Sequence, residues 1–245
     1  MLLSLEHICK RFQTPGGERV ALDDVSLELE RGQIAGIFGP SGSGKTTLLR
    51  IAAGLQAPDS GAVTYNGERL DRMPAAERRR YRRREISCVW GAQPWQERLG
   101  VLDHVAVALL VDRRDRRVAT CRAREALLAC EVEHCAGMEL ADLSDGERQR
   151  VAIARAIVTE PRLLLADRPA LGLSLLEQEA VMTLLTTLAR EAKVAVLITD
   201  SDAEALLRAQ PVLYLRDGRL VNPEPAGATL YRFPAAADRA GARDA

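Results

Sequence analysis

The 245-residue sequence predicts an α/β fold, and three observations predict it. The apolar runs QIAGIF, RLLLAD and VAVLIT have the length and composition of short, fully buried strands. The first run passes through a glycine-rich turn into the helical pattern TTLLRIAAGL, giving a strand–loop–helix unit. A further helix, expected from about Leu175 to Ala192, separates the other two runs.

The remaining elements follow in chain order. SLEHICKRF and VALDDVSLELE alternate as strands around the Pro/Gly turn TPGGE. GAVTYNGERL reads as a strand pair turning at Asn66-Gly67, a strong hairpin signal. From about Met73 to Val158 the pattern becomes helical and highly charged. VLYLRDGRLV closes as a final hairpin around Asp217-Gly218. Beyond Asn222 the Ala, Pro, Gly and Arg content predicts a loosely ordered tail, residues 222–245. Residues 1–221 are expected to form one domain.

Composition excludes several classes. Lysine and arginine total 34 and so do aspartate and glutamate, so no net field draws the chain to nucleic acid or membrane. No apolar run approaches a membrane span and no leader pattern opens the sequence, so a soluble, cytosolic chain is expected. The five cysteines form no CxxC pair. Cys130, His134 and Cys135 group loosely, but lack a fourth ligand and zinc spacing, so no zinc is expected. His7, His104 and His134 have no partnering nucleophile motif.

GPSGSGKT, comprising Gly39, Pro40, Ser41, Gly42, Ser43, Gly44, Lys45 and Thr46, fits the phosphate-binding pattern GxxxxGK[ST] fully. Glycines let backbone N–H groups turn toward phosphate oxygens, and the following helix presents a positive N-terminus. Lys45 is placed to reach the β- and γ-phosphates of a nucleotide. The hydroxyl of Thr46, followed by Thr47, is placed for Mg2+.

LSDGERQRVAIARAIV, Leu143 to Val158, then resembles the LSGGQ-type signature of ATP-binding-cassette (ABC) ATPases. Ser144 and Glu147 have capping-box spacing, and apolar residues at 151, 153, 154, 157 and 158 define one buried face. The resemblance spans roughly Leu3 to Val221. It is nearest to the subunits of lipoprotein-release, cell-division and macrolide-efflux exporters, through the arginine-rich LDRMPAAERRRYRRREIS. It implies a RecA-like parallel sheet, an antiparallel β subdomain and a helical subdomain over about 91–160. It also implies Phe12 against adenine, Asp167 with Thr46 on Mg2+, and Ser144, Asp145, Gly146 and Glu147 facing a partner's ATP. Family members pair head to tail and dock on transmembrane permease subunits at the cytoplasmic side of the membrane.

The sequence departs from that family at Asp145, where the signature has glycine, and at four positions that serve water, γ-phosphate and partner communication. Arg168 follows Asp167 where a water-polarising glutamate is the rule, and arginine can neither accept a hydrogen bond nor act as base. Asp200 stands for the γ-phosphate histidine, Ser174 for the D-loop aspartate and Gly91 for the loop glutamine. Gln93 could substitute for that glutamine only with a shifted loop. The expectation is a chain that binds ATP–Mg but has lost its own hydrolysis, paired with a different, competent ABC subunit. An Arg168–Asp200 ion pair is expected to balance the swapped charges; a direct Arg168 clamp on the γ-phosphate competes with it.

Two other readings stand beside this one: an active ATPase with rearranged groups, and a soluble cassette acting on nucleic acid or ribosomes. The arginine run of residues 78–84 contains only Tyr81 as an aromatic and is flanked by Glu77 and Glu85. It reads as a solvated face rather than a nucleic-acid surface. Trp90 and Trp95 border the expected docking groove for a permease. The transported molecule is not written in this chain.

Overall fold

The computed structural model describes residues 1–91 and 99–221. Four strands form an antiparallel sheet, β1 (Leu3–Thr14), β2 (Gly17–Leu29), β4 (Ser60–Tyr65) and β5 (Glu68–Arg69), in the order β2-β1-β4-β5. A second sheet is built around β3 (Ile34–Phe38), β6 (Ile86–Trp90), β7 (Leu163–Asp167), β8 (Ala195–Asp200) and β9 (Val212–Arg216). These five run parallel in the order β9-β3-β8-β7-β6, and β10 (Arg219–Val221) adds antiparallel at the β9 edge.

The apolar runs form the central strands because both sheet faces are covered. Along β7, Leu164 and Ala166 face one core while Leu163 and Leu165 face the other. β8 repeats the division with Val196 and Ile198 against Ala195 and Leu197. Strands buried on both sides need continuous rather than alternating hydrophobicity. One core lies toward the helices; the other lies toward the antiparallel sheet and α1 (Lys45–Ala52).

The stretch from Met73 to Val158 is helical, as expected, with an interruption. Helices α2 (Ala75–Arg84), α3 (Val101–Leu110), α4 (Arg116–Ala129) and α5 (Asp145–Ile157) flank β6, which enters the parallel sheet beside β7. Helix α6 (Leu175–Glu191) connects β7 to β8. The hairpins turn at Asn66-Gly67 and Asp217-Gly218, both pairs at positive φ.

In α2 the arginines hold the helix to its surroundings. Arg78 donates to the Met73 carbonyl, Arg82 to the Gly54 carbonyl, and Arg84 pairs with Asp112. Trp90 packs half-buried against the second core. Gln93, Trp95 and the tail lie outside the described residues.

Candidate nucleotide site and signature helix

The phosphate-loop pattern emerges from β3 and feeds α1, whose N-cap Gly44 has φ 109°. That conformation is open to glycine at little cost, and an added Cβ would also meet the Ala21 carbonyl oxygen at 2.2 Å. Gly39 is constrained by contact instead: its Cβ would stand 2.1 Å from the Leu215 carbonyl oxygen. The loop is therefore seated on two strands of different sheets.

Lys45 is buried and folds back over the loop, donating to the carbonyls of Gly39 (2.5 Å) and Pro40 (2.8 Å) and to Ser43 Oγ (3.4 Å). Burial pushes its pKa down, with Asp167 opposing that shift. At the C-terminal end of β7, Asp167 Oδ2 accepts from Thr46 Oγ1 at 2.7 Å, and Oδ1 accepts from Thr199 Oγ1 at 2.7 Å. A hydroxyl and a carboxylate in direct contact suit a hard cation such as Mg2+. Lysine, glycine-rich backbone and this oxygen pair together fit a magnesium–polyphosphate.

A cleft of about 330 Å³ opens over the loop. Ser41, Gly42, Gly44, Thr46 and Thr47 line it with Lys45, and Phe12 stands at its wall. Arg168 also lines it. Thr14, Arg19, Ala21 and Ser201 complete the wall and were not found from the sequence. Arg19 carried no local motif; the β1–β2 pairing brings it to the loop, where it donates to the Gly42 carbonyl at 3.1 Å. Thr199 could have been noticed as a polar residue ending an apolar strand.

The expected Arg168–Asp200 ion pair does not form. Asp200 is buried, and its Oδ1 accepts from the N–H groups of Ser201 (2.7 Å) and Asp202 (3.1 Å), closing a local turn. Burial raises its pKa, the main effect among several. Arg168 has φ 48° and donates its N–H to the Thr199 carbonyl at 2.7 Å, while its side chain borders the cleft. Local backbone donors thus satisfy Asp200, and Ser201 rather than Asp200 lines the cleft. Gly91 meets the backbone of Asp167 and Arg168.

The signature helix is built as its spacing predicts. Ser144 caps α5, accepting from the Glu147 N–H, and Glu147 Oε2 accepts from the Ser144 N–H (2.9 Å) and Oγ (2.8 Å). Val151, Ile153, Ala154 and Val158 are buried, with Ile157 half-buried. Ser144 and Asp145 are exposed. Gly146 is buried against α6, where a Cβ would meet Glu177 Oε1 at 2.5 Å. Ser174 and Glu177 form a second capping box at the start of α6. Cys130 and Cys135 both sit in the helical core, but the group within reach of His134 and Cys135 is Glu147 rather than Cys130.

A parallel sheet flanked by an antiparallel sheet and a helical region, with a phosphate loop between them, defines an ATP-binding-cassette type of nucleotide-binding domain. The chain belongs to the ABC transporter family, whose model matches residues 22–171. Among solved structures it is similar to the ATP-binding cassette MJ0796, a dimer in a post-hydrolysis state with ADP and Pi. Identity is 30% over 91% of this chain and 98% of that one, with TM-score 0.81. CbiO1 from Clostridium perfringens, part of the transporter complex cbiONQ, is 25% identical over 90% of this chain and 87% of its own, with TM-score 0.80. The cassette MJ1267 in its ADP conformation, 22% identical with TM-score 0.77, shares the fold.

Proposed function

We propose that this chain is the ATP–Mg-binding, hydrolysis-impaired subunit of an ABC transporter, paired with a different, competent cassette and docked on transmembrane permease subunits. One observation carries the reading. Lys45 and Thr46 line the cleft with Asp167 bonded to Thr46, while Arg168, at the position expected for the water-polarising carboxylate, also lines it. Binding groups are present, and the group that would activate water is a permanent cation. With Asp200 turned into its own backbone, Arg168 is available as a clamp on the terminal phosphate, strengthening binding without supplying a base.

The exposed Ser144 and Asp145 suit a signature presented to a partner's nucleotide, and the dimeric relative MJ0796 supports pairing. CbiO1, as part of a transporter complex, supports a permease partner and a peripheral place on the cytoplasmic face of the membrane. None of the described helices is long and apolar enough to cross a membrane. The arginines of α2 that bind neighbouring carbonyls and Asp112 favour this reading over a nucleic-acid surface.

The test is ATP affinity together with single-turnover hydrolysis of the purified chain with magnesium. Tight binding without phosphate release supports the proposal. Ordinary turnover would establish an active ATPase with rearranged groups, and absence of binding would leave the chain a scaffold for its partner.

A further inference from the structure

We propose that His134, Cys135 and Glu147 form a binding site for one borderline divalent transition-metal ion of the zinc class. Their nitrogen, sulfur and oxygen donors all lie within 4.8 Å of one another. His134 Nε2 is 3.0 Å from Glu147 Oε1, and Cys135 Sγ is 3.6 Å from the same oxygen. A tetrahedral ion with legs of about 2.0 Å to nitrogen and oxygen and about 2.3 Å to sulfur spaces its donors roughly 3.3–3.6 Å apart. Two of the three edges already stand near those lengths; the third, His134 Nε2 to Cys135 Sγ, lies within 4.8 Å, and rotation of the exposed imidazole would close it.

The carboxylate is divided as a ligating carboxylate needs to be. Oε2 is held by the N–H and hydroxyl of Ser144, which fixes the side chain, while Oε1 faces the imidazole and the thiol. An ion takes Oε1 and leaves the cap intact, with Ser144 as the outer partner that orients the ligand. Cys135 is buried and His134 is exposed, so the ion has one face to protein and one to solvent. Water completes the fourth position, as in sites with three protein ligands.

The proton and charge balances close. Binding releases the Cys135 thiol proton to solvent and moves the imidazole proton to Nδ1, freeing Nε2 as donor. Thiolate and carboxylate then neutralise the ion. The sequence pointed away from zinc because Cys130, His134 and Cys135 lack a fourth ligand and zinc spacing; the fold brings Glu147 from α5 to His134 and Cys135 instead. The ion would tie the 3₁₀ turn Glu133–Gly137 to the first turn of the signature helix.

The experiment titrates the full chain with cobalt(II), reading near-ultraviolet thiolate-to-metal absorption, and counts zinc by equilibrium dialysis. One equivalent with a thiolate band is expected. Cys135→Ser abolishes the band, His134→Gln, which removes a ligand, weakens binding by more than the roughly 10–100-fold typical of an outer-shell partner, and Cys121→Ser, at an exposed thiol, changes nothing. No band at one equivalent, a band surviving Cys135→Ser, or a band lost in Cys121→Ser overturns the proposal. Should the buried Cys135 variant not fold, His134→Gln decides: unchanged affinity overturns it.

Discussion

The backbone N–H of Gly91 donates to the carbonyl of Asp167 at 2.8 Å, and a Cβ on Gly91 would meet the Arg168 carbonyl oxygen at 2.8 Å. A side chain at position 91 would therefore press on the backbone of Arg168, another position that departs from the family pattern. Gly91→Gln is expected to destabilise by about 1–3 kcal/mol, since backbone yields less readily than side chain. Urea unfolding checks this, and a stability equal to that of the parent chain would show that the contact relaxes freely.

Lys45→Ala removes the buried cation beside the loop, and Asp167→Asn removes the carboxylate that meets Thr46. Losing a charge-assisted phosphate contact costs about 2–5 kcal/mol, so ATP affinity should fall at least about thirtyfold in Lys45→Ala. Asp167→Asn should act mainly on the magnesium dependence of binding. Calorimetric titration with and without magnesium separates the two effects.

Arg168→Ala tests the clamp. Loss of a hydrogen bond to a charged group is about 1.5–3 kcal/mol, so ATP affinity should drop roughly tenfold or more with ADP affinity little changed. Arg168→Glu should begin phosphate release in single turnover. Equal loss for ATP and ADP would place the side chain away from the terminal phosphate.

The capping boxes give stability predictions independent of nucleotide. Ser144→Ala and Ser174→Ala should each cost about 1 kcal/mol, while Ser174→Thr, which keeps the hydroxyl that donates to Glu177, should lose less. Thermal unfolding provides the measurement.

Hydrogen bonds from His134 and then Ser144 hold the Glu147 carboxyl down at about 2, below its ordinary 4.5. A depressed carboxyl pKa contributes stability above the unfolded value that is lost as pH falls from near 4.5 toward 2. Glu147→Gln should therefore be less stable than the parent at pH 7, with the gap narrowing toward pH 3. Unfolding at the two pH values tests the sign.

Gly39, Lys45 and Thr46 were legible because a phosphate loop is local chemistry: a turn, a cation and a hydroxyl within eight residues. Ser144 and Glu147 were legible because one helical turn closes a capping box. The buried strands showed through their unbroken apolarity, though β6 was obscured by the charged helices around it. Arg19 reached the cleft only through strand pairing, and Glu147 joined His134 and Cys135 only through the docking of the 3₁₀ turn against α5. Asp200 shows the limit most plainly. Sequence supplied two opposite charges at the ends of neighbouring strands; in the tertiary structure they do not pair, and nearby backbone N–H groups satisfy the carboxylate instead. Residue identity determines which interactions are chemically open to a side chain, and packing determines which partner comes within reach.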